Sequence, residues 1–394
     1  MYVIGEQEIE AVRRVIHSGQ LFRYNGGEGG SETDKFEREW ATVLGVQQAL
    51  AVTSGTAALI CGLVGMDIGP GDEVIVPAYT FMATALAPLA VGAVPVLAEI
   101  DQSLTLDPAD VEAKITPRTK AILPVHMAGL PCNMDALLEI AAKHKLRVLE
   151  DACQACGGSY KGKRHGANGD AGAFSFNYFK IITCGEGGAL VSNDQALMRR
   201  AQIQADGGLC FWRPEDALEC PPFAGGNYRV SEISSAILRV QLGRLEALLA
   251  GLRRDKQNLR RALSGLTGFW FNPVNDPEGD CATVLGLLFP GEGAMRDFLE
   301  KALAWKLPVW TPIDSGRHVY SNWECVMQMS GASHEGRDAY KLVQAPPLMT
   351  PDMCPKTLDL LSRTLFITTS PTRTDQEFAN LASALLRIAR SIPR

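Results

Sequence analysis

The sequence predicts an α/β protein built on a mostly parallel sheet, followed by a smaller α+β part. Three observations carry this. Apolar strand-like runs alternate with helical patterns from about residue 47 to residue 151, the signature of crossover-connected strands buried on both faces. Several strand-like runs close on acidic or polar residues, as at Glu150-Asp151, and ligands of such sheets gather at the carboxyl ends of the strands. Beyond about residue 255 the pattern turns to short strands, "ATVLGLLF" and "LFITTS", with terminal helices. The expected division is a large domain over 1–250 with an N-terminal arm, and a small C-terminal domain over 251–394.

Taken in order, residues 6 to 18 read as an amphipathic helix. The glycine-rich "LFRYNGGEGGSET" (21–33) reads as loop, because glycine weakens both helix and strand. "DKFEREWATVLG" is helical again, and "QQALAVTSG" carries a short strand. Then come "DEVIVPA" (strand), "TFMATALAPLAVG" (helix), "VPVLAEI" and "KAILPVH" (strands), "MDALLEIAAKHK" (helix) and "LRVLED" (strand). The stretch 230–266 reads as one long helix bridging to the second domain.

Composition excludes several function classes. Hydrophobic residues make up 46% of the 394 and charged residues 21%, which suits an ordinary globular protein. A net charge of −6 gives no basic footprint for nucleic acid or an anionic membrane. The ten cysteines are scattered; only Cys153 and Cys156 form a Cys-x-x-Cys, without the second pair that a zinc site needs. The six histidines show no metal-site spacing. The first twenty residues lack the pattern of a signal peptide, and no apolar run is long enough to span a bilayer. The expected location is the cytoplasm.

Three constellations carry chemistry. In "TSGTAALICGL" (53–63) a strand ends, Ser54-Gly55-Thr56 turns and a helix begins. Free N–H groups there, beside small hydroxyls, suit a phosphate, although a plain Ser/Thr N-cap gives the same pattern. In "VLEDACQACG" Asp151 ends a strand with Gln154 three residues on; it either faces a protonated ring nitrogen or caps a helix. In "FSFNYFKIITCGEGGALVSND" Lys180 follows an aromatic run and precedes a Gly-rich turn, with Ser175 five residues before it. A desolvated lysine is a nucleophile, whereas a surface lysine before a hairpin is the plain alternative. Taken together they match the needs of pyridoxal phosphate: a lysine Schiff base, an acid opposite the pyridine nitrogen, and phosphate donors.

"EDACQACGG…GDAGAFSFNYFKIITCGEGGALVSND", "TSGTAAL", "GDEVIVPAYTFMATALA", "PVHMAG" and "GNYRVSEISSAILRVQL" resemble, in the same order, segments of the sugar aminotransferases among the fold-type I pyridoxal phosphate enzymes. The likeness covers about residues 20 to 250. It implies that Lys180 forms the Schiff base, Asp151 pairs with the pyridine nitrogen, Gln154 lies near the ring hydroxyl and Phe81 stacks on the ring. It implies further that Gly55, Thr56 and Ser175 bind the phosphate, and that Asn227 or Arg229 reaches the phosphate of a neighbouring subunit. A homodimer with shared sites follows from that. The implied reaction moves an amino group from glutamate or glutamine to a keto or aldehyde group of a sugar, sugar nucleotide or cyclitol.

Two stretches depart from the family's pattern. Asn177-Tyr178-Phe179-Lys180 stands where a His-Pro-Thr-Lys-like run is common, and "WTPIDSGRHVYSNWECV" (310–326) differs as well. Within the latter, His318 and Tyr320, with Asn322 and Trp323, are residue types that suit a carbohydrate, and equally an ordinary core. A sugar dehydratase of the same fold is the alternative, but such relatives replace the lysine with histidine. A cofactor-binding regulator would need a DNA-binding module, and a nicotinamide dehydrogenase a G-x-G-x-x-G between strand and helix; neither is present.

Overall fold

The computed structural model describes residues 3–26, 29–208, 220–330, 338–343 and 346–391. Gly27 and Glu28 of the glycine-rich 21–33 segment therefore lie outside the described residues. The central sheet takes β1 (Gln48–Val52), β2 (Glu73–Pro77), β3 (Val94–Ala98), β4 (Thr119–Ile122) and β5 (Arg147–Asp151). A short hairpin, β6 (Ser159–Tyr160) and β7 (Lys163–Arg164), intervenes before β8 (Ala171–Ser175) and β9 (Gly188–Ser192) complete the sheet. Its order is β1-β9-β8-β5-β4-β2-β3. Only β9 runs against its neighbours. Every residue of β2, β3, β8 and β9 is buried, so these strands read as continuous apolar runs, not alternating ones.

Local chemistry sets where the helices start and stop. Ser54 caps helix Gly55–Gly65, its hydroxyl accepting the Ala57 N–H at 3.1 Å. Asn133 and Asp194 cap helices Met134–His144 and Gln195–Ala205 in the same way. Helix Ala83–Ala90 contains Pro88, which lacks a donor N–H, and ends two residues later. Trp40 of helix Glu32–Leu44 meets Phe174 of β8 edge-on at 5.0 Å, and Phe36 meets Phe176 at 5.6 Å. These aromatics lock the N-terminal helix to the strand that leads toward Lys180.

The stretch 230–266 is two helices, Glu232–Leu242 and Leu245–Leu263, not one. Gly243 is a poor helix former. Arg244 turns its guanidinium to the N-terminal segment, donating to Val3 O and to Glu8 Oε1, each at 2.6 Å. Position 250 lies inside the second of these helices. A second, antiparallel sheet follows: β10 (Trp270–Phe271), β11 (Val284–Leu288), β12 (Val309–Trp310) and β13 (Thr364–Thr368), in the order β10-β11-β13-β12. Phe289, Phe298 and Leu385 fill its own core. Tyr320, Trp323 and Leu360, by contrast, join the core that holds Tyr79 and Leu123 of the central sheet.

Candidate active site

A cleft of about 220 Å³ opens at the carboxyl ends of β5 and β8 and the start of helix Gly55–Gly65. Gly55, Thr56, Phe81, Asp151, Gln154, Ser175 and Lys180 all line it. Four separate stretches of sequence thus meet in one place. His318 stands beside it, its ring centroid 5.8 Å from that of Phe81 and its carbonyl accepting the Thr80 N–H.

Adjacent residues of a strand point to opposite faces, and β5 uses this at its end. Glu150 points into the interior, where its carboxylate accepts from His126 Nε2 (3.0 Å), the N–H groups of Gly166, Asn168 and Gly169, and the Asn168 side chain. These donors hold its carboxyl below the usual range despite full burial. Asp151 turns to the cleft. Thr84 Oγ1 donates to its Oδ2 at 2.8 Å and the Cys153 N–H to its Oδ1 at 3.1 Å. The strand end is pinned to the segment after β4 by Asp151 N–H to Pro124 O and His126 N–H to Asp151 O, and to β8 by Ala152 N–H to Ala173 O.

The helix start expected to cradle a phosphate rests on close backbone approach. Ser54 occupies the Ala57 and Ala58 N–H groups, leaving those of Gly55 and Thr56 at the open end of the helix. A Cβ on Gly55 would lie 2.7 Å from Cys153 Sγ and 2.8 Å from Ser175 Cβ, so only glycine lets this turn sit against β8. Gly188 of β9 is equally constrained: a Cβ there would lie 2.3 Å from Ser54 O.

Lys180 follows β8 in the turn before β9 and is half-buried at the cleft wall. The aromatic run before Lys180 predicts a packed wall around a lysine buried against the cofactor. Phe174 and Phe176 are buried, but Tyr178 and Phe179 are 66% and 80% exposed. The buried run ends at Phe176, and the turn that follows carries Tyr178 and Phe179 outward. Two neighbours register the Lys180 charge. Burial, then Lys180 and Arg317, push the His318 imidazole down to about 4, so it is neutral near pH 7. Burial and Asp151 hold the Cys153 thiol well above its ordinary value, leaving it protonated.

Four of the expected residues lie outside this chain's cleft. Tyr320 is fully buried in the core, its hydroxyl donating to Pro351 O at 2.7 Å and accepting the Cys354 N–H at 3.0 Å. With both roles filled inside the fold, Tyr320 is a packing residue and not a cleft residue; Trp323, bonded to Arg317 O, is the same. Arg229 pairs with Asp206, whose other oxygen takes the Tyr24 hydroxyl, and Asn227 is exposed, so neither enters this chain's cleft. Sequence reading missed Thr84 and Thr80, whose hydroxyls lie 2.7 Å apart behind Asp151. Their i, i+4 spacing at a helix start was the available signal. Among the described residues one group could approach a metal, His126, Glu150 and His165, but the bonds above already occupy Glu150, and Cys132 N–H and Glu150 occupy His126.

The residues fit pyridoxal phosphate on three counts: a glycine-dependent helix N-terminus for the phosphate, an anchored carboxylate, and a lysine across the cleft. Comparison with known proteins agrees. The chain matches the DegT/DnrJ/EryC1/StrS aminotransferase family over residues 3–304. It is 42% identical over 264 residues to GDP-perosamine synthase of Caulobacter vibrioides, covering 62% of this chain and 69% of that one. It is 40% identical over 268 residues to 3-amino-5-hydroxybenzoate synthase of Amycolatopsis mediterranei, covering 66% of each. These matches span about two thirds of the relatives' length. Among solved structures, a 3-amino-5-hydroxybenzoic acid synthase superposes with a TM-score of 0.81 at 29% identity, over 99% of this chain and 98% of that one. DesV of S. venezuelae, solved with a ketimine intermediate, gives 0.79 at 31% over 98% and 95%. Motif order, cleft geometry and these likenesses converge, and the chain belongs to the DegT/DnrJ/EryC1/StrS family of pyridoxal-phosphate-dependent aminotransferases.

Proposed function

We propose that the chain transfers an amino group from glutamate or glutamine to a keto or aldehyde carbon of a sugar, sugar nucleotide or cyclitol. The observation that supports it most is the convergence of Lys180, Asp151 and the Gly55-Thr56 helix start on one cleft. Pyridoxal phosphate, when bound, supplies a carbonyl for the amine and an electron sink. The chain's own residues do the rest. The N–H groups of Gly55 and Thr56, with Ser175, hold the phosphate, and the Asp151 carboxylate, fixed by Thr84, holds a proton on the ring nitrogen. Lys180 Nζ takes the proton from the donor's amino-bearing carbon and, in the second half-reaction, delivers one to the carbon of the acceptor that receives the amine, a role worth roughly 10²–10⁴-fold in rate. Phe81 bounds the ring face, and neutral His318 offers a hydrogen bond to a hydroxyl of the acceptor.

The same reading makes the protein a homodimer with two lobes per chain, residues 1–250 and 251–394. The exposed Tyr178 and Phe179 beside Lys180 support a second copy covering the cleft. Asn227 and Arg229, outside this chain's cleft, are then available to the partner's phosphate. Lys180 weighs against the dehydratase alternative. The test is a panel of keto sugars, nucleotide-linked keto sugars, inososes and plain 2-oxo acids, assayed with glutamate and glutamine. Amination of 2-oxo acids alone would refute the carbohydrate reading.

A further inference from the structure

The cleft wall beside Gln154 is held by the second sheet. Gln154 Oε1 accepts the Ala128 N–H at 3.1 Å. An amide has one acceptor end and one donor end, so this bond fixes the flip and leaves Nε2 as the donor on a side chain that lines the cleft. The bond depends on an unusual backbone: Ala128 has φ 53° and ψ 26°, a left-handed conformation that alanine rarely keeps unaided.

What keeps it there comes from the segment just before β11. Thr283 Oγ1 donates to Ala128 O at 2.5 Å, and the Cys281 N–H donates to Gly129 O at 3.1 Å. Contact is close enough that a Cβ on Gly129 would lie 2.7 Å from Cys281 Cβ. Thr283 is itself held in place. Its carbonyl accepts the Thr369 N–H, and Asp280 accepts the Ala282 N–H at 2.7 Å while pairing with Lys256. The strap is thus tied to β13's end and to helix Leu245–Leu263 as well as to the cleft loop.

We propose that Thr283 is a positioning residue for the cofactor site, acting through Ala128 to aim the Gln154 amide donor into the cleft. This rests on the pyridoxal phosphate reading above. Thr283→Val keeps the shape and removes the donor, Thr283→Ser keeps the hydroxyl, and Gln154→Leu removes the amide. Each, with the Thr283→Val/Gln154→Leu double variant, is titrated with pyridoxal phosphate by fluorescence, and the absorbance of the bound form is followed against pH.

Thr283→Val is expected to weaken cofactor binding about 3- to 10-fold and to move the pH midpoint by about half a unit or more, in the direction Gln154→Leu moves it. Thr283→Ser stays close to wild type, and the double variant moves no further than Gln154→Leu alone, because both changes remove one effect. A residue that only packs would change the melting temperature and leave the midpoint alone. A wild-type midpoint and affinity in Thr283→Val, or additive shifts in the double variant, overturn the proposal. Thr283→Ala, which also lacks the donor, carries the same expectation if Thr283→Val folds too poorly to load. A wild-type chain that takes up no cofactor defeats the functional reading itself, before any variant is compared.

Discussion

Gly55→Ala adds one methyl group where the cleft has no room for it. Its carbon would stand 2.7 Å from Cys153 Sγ and 2.8 Å from Ser175 Cβ, so reaching ordinary contact needs a shift of roughly 0.7 Å. Ser175 cannot give way, because it ends a strand buried along its whole length between β5 and β9. The helix start must move instead, and with it the N–H groups proposed to hold the phosphate. Overpacking of this kind costs about 1–3 kcal/mol of stability. Displacement of a binding group approaching 1 Å costs up to about 10²-fold in function, so cofactor affinity should fall at least about tenfold. Fluorescence titration with pyridoxal phosphate and urea denaturation measure the two effects separately. Adding Cys153→Ala removes the Sγ contact but not the Ser175 one, so the double variant should recover only part of the loss. Affinity within twofold of wild type and stability within about 0.5 kcal/mol would refute the tight-turn account of the cradle.

Other changes test the remaining parts of the site. Lys180→Ala should lose the borohydride-trapped cofactor adduct and at least about 10³-fold in turnover while the fold survives; peptide mass spectrometry that still finds the adduct, on Lys161 or Lys163, sinks the assignment. Asp151→Asn should keep the adduct and lose most of the rate, since attachment needs Lys180 alone; equal loss of both points to a structural role. Tyr320→Phe should cost about 1–3 kcal/mol by stranding Pro351 O and the Cys354 N–H, with acceptor preference unchanged in a substrate panel. His318 has its value lowered from 6.5 to about 4, so its neutral form stabilises the fold above 6.5 and that contribution is lost as pH falls from 6.5 toward 4. Partial burial reduces this to about 1–2 kcal/mol, and urea midpoints of His318→Gln should fall less steeply than wild type across that window.

The central sheet was legible because burial on both faces writes itself into the sequence as unbroken apolar runs. β2, β3 and β9 lie where "EVIVP", "VPVLA" and "GALVS" stand. The site was legible for a related reason. A strand buried to its last residue has no structural use for Asp151, and a helix start reading Ser-Gly-Thr supplies both a cap and bare N–H groups. Gln154, Ser175 and Lys180 were legible through the resemblance of their segments to the family's, in the same order. The single-helix expectation for 230–266 failed because Gly243 only weakens a helix. At the break Arg244 bonds across to Val3 and Glu8, more than two hundred residues away, contacts that no local pattern records.

The harder failure lies with aromatic and hydroxyl residues, because one residue type serves two environments. Tyr320 and Phe179 look alike as large rings near candidate site residues, yet one has no exposure and the other has 80%. Their fates are set by long-range partners: Pro351 and Cys354 bond Tyr320, while the described residues leave Phe179 largely uncovered. Thr84 was overlooked for the converse reason. A threonine inside "FMATALAPLA" weighs little in a helical pattern, and its value appears only when the crossover brings it within 2.8 Å of Asp151, sixty-seven residues later. Sequence periodicity reports which face a residue shows to its own neighbours. Which carboxylate that face then meets is decided by strand order, and β2 is separated from β5 by β4 in the sheet. The residues proposed to bind the cofactor are thus legible as motifs, whereas those bonded behind them, Thr84 to Asp151 and Thr283 to Ala128, become visible only in the assembled fold.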